Sequence, residues 1–490
     1  MVLYMPKQYI SDVITNEEIA KWQNGNRILI HSQTGSGKSE FIKTKLYEYC
    51  KTNNKKILLL SNRILLKNQN IVDIGDKTDI IKVTNYQALQ SLMFGKEYTL
   101  NELISPYDYI VFDEAHFMFA DSMFNKTTYL LLPPIIDTPI DKILILVTAT
   151  PQELLGYQDQ YDFQYNMVFD YSYINNLIFY NKTRYSNIVQ SIIKNIPDNE
   201  KILYFGKNAQ DCFDLSTQFE SAKFICSKAN KLANESSEEA INQIIYNSKF
   251  DCRILFSTCV LDAGVNIIDP DLKHIFIDSL NPISFIQSLG RKRIISDNDK
   301  INLYVRNYNN GNLWYIDKDF EHKLEMVDNY NNKKTNDFSD YYKGGNVDDV
   351  LIKVYIENKA KLQHYKTQKE LLQEMRDIHQ EDNYKRYICK LLNFNYSNIQ
   401  KPNYEIEYDS LYDVLKEYVG KNLIDADREY FKNRFFSNIF VPKKVNYKGR
   451  GMDAINQIIA EDGLPFSIFS QRQNSGKYRN RHFWVVQEVE

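Results

Sequence analysis

The stretch HSQTGSGKSEF, His31 to Phe41, sets two glycines around a serine immediately ahead of Lys38 and Ser39. The lead-in Ile28, Leu29 and Ile30 reads as a short buried strand. The segment behind the glycines, with an apolar stripe at Phe41, Ile42 and Leu46, predicts a helix. Small residues between strand and helix let backbone N–H groups close on an anion, to which the helix N-terminus adds partial positive charge. The spacing fits the phosphate loop G-x-x-x-x-G-K-[ST], with Ser32 at its first glycine position. In such a loop Thr34, Gly35, Ser36 and Gly37 surround the phosphates, Lys38 reaches the β- and γ-phosphates, and Ser39 helps hold Mg²⁺.

Outward from this loop, short aliphatic runs alternate with helix-like spacers as far as Tyr180: RILIH, KILLLS, DIIKVTN, DYIVFDE and KILILVTAT. That alternation is the pattern of a parallel sheet with crossover helices. A second series follows, KILYFG, AKFICS, RILFST, HIFIDS and INLYVRN, which predicts a second α/β sheet in tandem. After about Asn310 the chain becomes rich in Tyr, Asn and charge, and ENKAKLQHYKTQKELLQEMRDIHQ has apolar residues at helical spacing. A solvated helix or helical pair is expected there. Near the end, GMDAINQIIAEDG predicts a short helix, and two apolar runs around a polar tip predict a hairpin. The division expected is 1–180 and 181–310 for the two sheets, 311–425 for a helical accessory region and 426–490 for a small basic α+β domain.

The net charge of −3 in 490 residues conceals an asymmetry. Residues 431–490 hold 10 Lys and Arg against 5 Asp and Glu, a balance of +5, while residues 1–430 hold 50 against 58, a balance of −8. The C-terminal end is therefore the part best suited to a phosphate backbone. Six scattered cysteines (Cys50, Cys212, Cys226, Cys252, Cys259, Cys389) form no C-x-x-C pair and read as reduced residues rather than disulfides or a zinc site. No secretory leader opens the sequence and no run of about eighteen apolar residues occurs, so a soluble cytoplasmic protein without membrane partners is expected.

The run YIVFDEAHF brings Asp113 and Glu114 to the C-terminal edge of a strand, where the ligand lies in phosphate-loop folds. Asp113 suits the Mg²⁺ shell, Glu114 suits activation of an attacking water, and His116 is placed to link the site to a neighbouring surface. In order along the chain, SQTGSGKS, SNRILLKNQ, VTNYQAL, DEAH, TAT (Thr148 to Thr150), STCVLDAGVNI and QSLGRKR resemble the motif series of a superfamily 2 helicase of DEAH-box, phage or bacterial type. The series spans residues 25 to 295, about half the chain.

The resemblance implies two RecA-like domains with ATP and Mg²⁺ in the cleft between them. It also implies that Gln287, Arg291 and Arg293 reach the γ-phosphate from across that cleft. The family places its final arginine three residues after the first, where Ile294 stands here, so either Arg291 or Arg293 could serve as the finger. Gly264 and Asn266 match the part of motif V that couples nucleic acid to nucleotide. Arg63, Thr84, Gln87 and Thr258 stand where relatives touch a sugar-phosphate backbone, although Gln69 of the SNRILLKNQ match falls a residue late. An adenine-reading glutamine upstream of the phosphate loop would have Gln8 or Gln23 as candidates.

In the tail, Arg472, Lys477, Arg479 and Arg481 interleave with Phe469, Tyr478, Phe483 and Trp484, which suits phosphate pairing with base stacking, or a small capping domain with a basic face. The reading reached is an ATP-driven nucleic-acid translocase or helicase acting on DNA rather than RNA, in replication, recombination or repair. Alternatives are an origin-binding initiator with a DNA-binding C-terminal domain and a nucleic-acid-sensing ATPase switch in defence.

Overall fold

The computed structural model describes residues 9–488 apart from 62–66, 68, 69, 72, 96, 97, 124, 126, 133–139, 168, 182–187, 229, 259–264, 309, 333–358, 379–381, 403–410, 438–450, 462, 463 and 473–480. Arg63, Gly264, Lys477 and Arg479 therefore lie outside the described residues, as do Gln8 and Gln69. By its contacts the chain divides into a larger unit, residues 1–179 with 198–400, and a smaller one, 180–197 with 401–490.

The larger unit holds two six-stranded parallel sheets, the tandem RecA-like architecture expected from the sequence. The first contains β1 (Arg27–His31), β2 (Ile57–Ser61), β3 (Ile81–Asn85), β4 (Tyr109–Asp113), β5 (Ile143–Thr148) and β6 (Phe163–Asn166), in the order β3-β2-β4-β5-β1-β6. The second contains β7 (Ile174–Tyr180), β8 (Lys201–Phe205), β9 (Ala222–Ile225), β10 (Ile254–Ser257), β11 (Leu272–Ile277) and β12 (Ile301–Arg306), in the order β7-β12-β11-β8-β10-β9. Helices cover both faces. On β1, Ile28 and Ile30 enter one apolar cluster and Leu29 another; on β2, Ile57 and Leu59 separate in the same way from Leu58 and Leu60. Such strands have no polar face, which is why they read as unbroken aliphatic runs.

Two strands break that pattern in whole or in part. Phe163–Asn166 is an edge strand in which half-buried and exposed residues alternate, and Ile174–Tyr180 opens with Asn175 and Asn176 behind its first residue. Since β7 already belongs to the second sheet, the chain crosses over before Ile174, ahead of the expected division at residue 180.

The helices used below are α1, which starts at Lys38–Glu40, widens into a π-type segment at Phe41–Leu46 and continues through Tyr47–Thr52, then α2 (Phe117–Ala120), α3 (Gln152–Leu155), α4 (Pro282–Leu289), α5 (Asn310–Asn332), α6 (Lys359–Arg376) and α7 (Asn383–Leu391). Helix α6 corrects the expectation of a solvated helix: Ala360, Tyr365, Leu371, Leu372 and Met375 are buried, as are the polar Thr367 and Gln368. It packs on α2 and α3 beside the first sheet and on α5 and α7 beside the second. Among the described residues no helix is long and apolar enough to cross a membrane.

The smaller unit holds the helix Ile188–Lys194 and, in its C-terminal part, α8 (Leu411–Tyr418), β13 (Asn422–Leu423), α9 (Asp425–Ser437), α10 (Met452–Glu461), β14 (Phe466–Arg472) and β15 (His482–Glu488). Its strands form a small antiparallel sheet in the order β13-β15-β14. The expected hairpin is present with Phe466 opposite Glu488 and Arg472 opposite His482. Val414, Leu415, Phe431, Phe435, Ile455 and Ile458 build its own core together with Trp484 and Val486.

Candidate active site

Strand order assembles the site. Since β4, β5 and β1 are neighbours, the ends of all three open on one edge, with His31 beside Thr148 and Asp113 beside Val147. The loop after β1 needs left-handed backbone at Gly35 (φ 87°) and Gly37 (φ 85°), which glycine adopts without Cβ strain. Its buried lysine, Lys38, donates to the Ser32 carbonyl at 3.3 Å and stands 3.7 Å from Oε1 of Glu114. Gln33 clamps the same loop to the crossing segment: its Nε2 donates to the Asp170 carbonyl (2.9 Å) and its Oε1 accepts the Asp170 N–H (2.8 Å).

Glu114 is itself left-handed (φ 53°), an arrangement that costs a non-glycine residue about 1–3 kcal/mol and turns its carboxylate back toward Lys38. Its other oxygen lies 3.5 Å from Nδ1 of His116 and makes no hydrogen bond. His116 is buried, and its Nδ1 meets Oγ1 of Thr148 at 2.9 Å, so it joins DEAH to TAT rather than to an outer surface. The Tyr86 hydroxyl donates to the Asp113 carbonyl at 2.8 Å and steadies the end of β4.

The charges here are strongly coupled. Burial and the neighbouring Glu114 charge raise the Asp113 carboxyl above its ordinary range. Burial pushes Glu114 the same way, but Lys38, His116, Arg291 and Arg293 outweigh it and keep Glu114 low, hence ionised. Burial lowers Lys38, with Glu114 and Asp113 opposing. The pair thus presents one firmly ionised carboxylate and one whose ionisation is improved by a nearby cation.

The second sheet contributes helix α4 and the segment behind it. Gly290 lies so close to the phosphate loop that a Cβ there would fall 2.6 Å from Oγ1 of Thr34. Gln287 donates to Thr150 Oγ1 at 3.4 Å, joining QSLGRKR to TAT across the cleft. Helix α4 ends at Leu289, and Lys292 then bridges to Ile267 in parallel fashion, with Ile267 N–H bonded to the Arg291 carbonyl and Arg293 N–H to the Ile267 carbonyl. In this extended segment residues two apart share a side. The arginine that looks out of register in a helical reading is therefore in register in an extended one.

The two arginines differ in their partners. Arg291 is held by the Gln287 carbonyl (3.0 Å), the Val265 carbonyl (3.4 Å) and Gln287 Oε1 (2.7 Å). Arg293 donates through Nε to Asn266 Oδ1 at 2.8 Å, while its buried Nη1 has no hydrogen-bond partner and faces Gly35. Burial, with Arg291 nearby, brings Arg293 down to about 10. The side-chain oxygens of Ser32 and Thr34 are likewise buried and unbonded. Two hydroxyls and a guanidinium N–H left without partners around a glycine loop suit a polyphosphate, and Ser39 with Asp113 suits the accompanying Mg²⁺. Beside the loop a cavity of about 440 Å³, lined by Tyr9, Gly35, Asp170, Tyr171, Arg293 and Lys300, has the size of a small-ligand site. Gln23 sits instead at the turn before β1, its N–H bonded to Asn26.

The candidate nucleic-acid residues are dispersed. Thr84 ends β3 and Gln87 follows in the next helix, its Nε2 3.5 Å from Asp121, while Thr258 follows β10 of the other sheet. In the smaller unit Arg472 and Arg481 flank the hairpin connection, and Arg481 pairs with Asp425 at 2.7 Å on the surface. Tyr86, Gln33 and Glu153 were missed in the sequence reading, although the first two lie inside quoted motifs.

No protein-family model matches the chain, and no curated protein matches it. Among solved structures, S. cerevisiae Dbp5 bound to RNA and ADP BeF3 aligns at TM-score 0.43 and 12% identity, over 69% of this chain and 89% of that one. Mss116p (NTE and C-tail double deletion), bound to ssRNA and AMP-PNP, aligns at TM-score 0.45 and 13% identity, over 81% of this chain and 86% of that one.

Proposed function

We propose that this protein is an ATP-driven nucleic-acid translocase or helicase of superfamily 2, DEAH type, acting on DNA in the cytoplasm of a bacterial or phage-infected cell. One observation carries the reading: in a single cleft the glycine loop, the DEAH carboxylates and Thr150 of one sheet face Gln287, Gly290 and Arg293 of the other. Lys38 and the loop amides bind the phosphates, Ser39 and Asp113 hold Mg²⁺, and the metal supplies charge neutralisation when bound. Glu114, ionised and free on one oxygen, accepts a proton from water. Arg293 completes the site only when the second sheet is seated, so turnover and domain movement are linked. Thr84, Gln87 and Thr258, with Arg63 and Gly264, position a strand without reading its bases.

ATPase rate measured in parallel with single-stranded DNA, duplex DNA and RNA tests this. Single-stranded DNA should stimulate most, and Lys38→Ala should remove turnover and weaken ATP binding together. A wild-type rate that none of the three nucleic acids changes would sink the translocase reading.

The hairpin of the smaller unit, placed like a wing, favours a duplex contact as well, the feature an initiator would share. The described outward residues of α10, Asp453, Gln457 and Ala460, include no cation, whereas Arg472 and Arg481 border the hairpin connection that carries Lys477 and Arg479 in sequence. A surface pair such as Arg481–Asp425 is weak enough to yield to phosphate. The wing, not the helix, is the contact we infer. Replacing Arg472, Arg479 and Arg481 by Ala should weaken binding and reduce the salt slope by up to about three counterions' worth, with basal ATPase unchanged. A folded triple variant with unaltered affinity and slope would leave the unit a cap.

A further inference from the structure

Glu153 is a buried acid that the chemistry above does not use. It sits on α3, three residues beyond Thr150, with 0% of its surface exposed. Its Oε1 is 3.0 Å from Nδ1 of His364 on α6, and its Oε2 is buried without a hydrogen-bond partner. With Glu153 as a carboxylate, which only accepts, Nδ1 of His364 is the donor. Keeping such a group out of water costs several kcal/mol unless its charge is answered nearby.

His364 meets one oxygen, and the elements around the pair lead toward the DEAH segment. Burial holds His116 below its ordinary range, while the charges of Glu114 and Glu153 work the other way. His116 in turn meets Thr148 Oγ1 and flanks the unbonded oxygen of Glu114. Thr148 Oγ1 also accepts the Thr150 N–H at 3.0 Å, and Thr150 receives Gln287. Helix α6 packs on α2, the turn that directly follows DEAH, and Gly156 lies against its Gln363. The other side of α6 faces the second sheet, where His364, Tyr365 and Gln368 line a cavity of about 420 Å³ with Lys207, Asn281 and Lys323. Helix α6 therefore meets α3, just beyond TAT, through one hydrogen bond, packs on the turn that follows DEAH, and borders an accessible groove through the same histidine.

We propose that Glu153 and His364 are positioning residues for nucleotide turnover: through their hydrogen bond helix α6 sets His116, and with it Glu114, in working geometry. This rests on the ATPase reading. Contact with the phosphates is not involved, so the pair acts on kcat and not on ATP affinity.

The test is steady-state ATPase of the full chain with melting measured alongside. His364→Ala should lower kcat by about tenfold at a KM for ATP within about twofold of wild type, the scale of one lost charged hydrogen bond. His364→Asn, which keeps a donor near the Nδ1 position, should recover to within about threefold of wild type. Glu153→Gln keeps the shape, removes the charge and should lower kcat even with melting unchanged. Normal kcat in folded His364→Ala, or equal loss in the Ala and Asn variants, overturns the inference while leaving the ATPase reading standing. A wild-type chain without turnover overturns both.

Discussion

Glu114→Gln should bind ATP with near wild-type affinity and hydrolyse it about 10²- to 10⁴-fold more slowly, the range expected when a general base is lost. The separation of binding from chemistry follows from the geometry. Lys38, the proposed phosphate-binding cation, should keep its bond to the Ser32 carbonyl whether or not residue 114 is charged. Glutamine preserves the volume at a buried, left-handed position and removes only the charge that Lys38, His116, Arg291 and Arg293 maintain. Burial would still raise Asp113, but loss of that charge removes the repulsion that adds to it, so the proposed metal-binding carboxylate should ionise more readily in the variant. Nucleotide binding by titration and turnover under single-cycle conditions check the two halves separately. A Glu114→Gln protein with ordinary turnover would remove Glu114 from the chemistry.

The arginines should part company. Arg293→Ala is expected to cut kcat by about 10³-fold or more, the effect of losing an arginine finger, with ADP affinity and melting temperature little changed. Arg293 has one hydrogen bond, to Asn266, and an unsatisfied buried N–H aimed at the phosphate loop, so its removal frees the fold of a costly cation while depriving the transition state of a donor. Arg291→Ala should lower the melting temperature as well as kcat, because the Gln287 carbonyl, the Val265 carbonyl and Gln287 Oε1 all lose their donor. Thermal melts and turnover of the two variants give the comparison. A stable Arg291→Ala with the larger kinetic loss, beside an active Arg293→Ala, would reverse the roles.

Local chemistry made much of this molecule legible in its sequence. Ten strands announce themselves as aliphatic runs because a parallel sheet covered on both faces leaves them no polar side, and the phosphate loop is recognisable because its glycines, Lys38 and Ser39 act within one turn of chain. The strands Phe163–Asn166 and Ile174–Tyr180 escaped, since the one alternates at a sheet edge and the other begins with asparagines. Helix α6 read as solvated because its polar Thr367 and Gln368 are buried, and His364 half-buried, by contacts that periodicity does not encode.

What only the tertiary structure decided lies between distant segments. The spacing of Arg291 and Arg293 becomes meaningful once α4 stops at Leu289 and Lys292 pairs with Ile267, because backbone conformation, not residue count, determines which side chains share a face. Glu153 and His364 meet across 211 residues, each unremarked in its own neighbourhood, and their bond exists only because α6 is packed against α3. The residues of the proposed catalytic motifs were written in local spacing, where a phosphate and a water would demand fixed chemistry within a few residues. Their orientation and electrostatic support depend on which strands became neighbours and which helix covered them, and those are properties of the folded core.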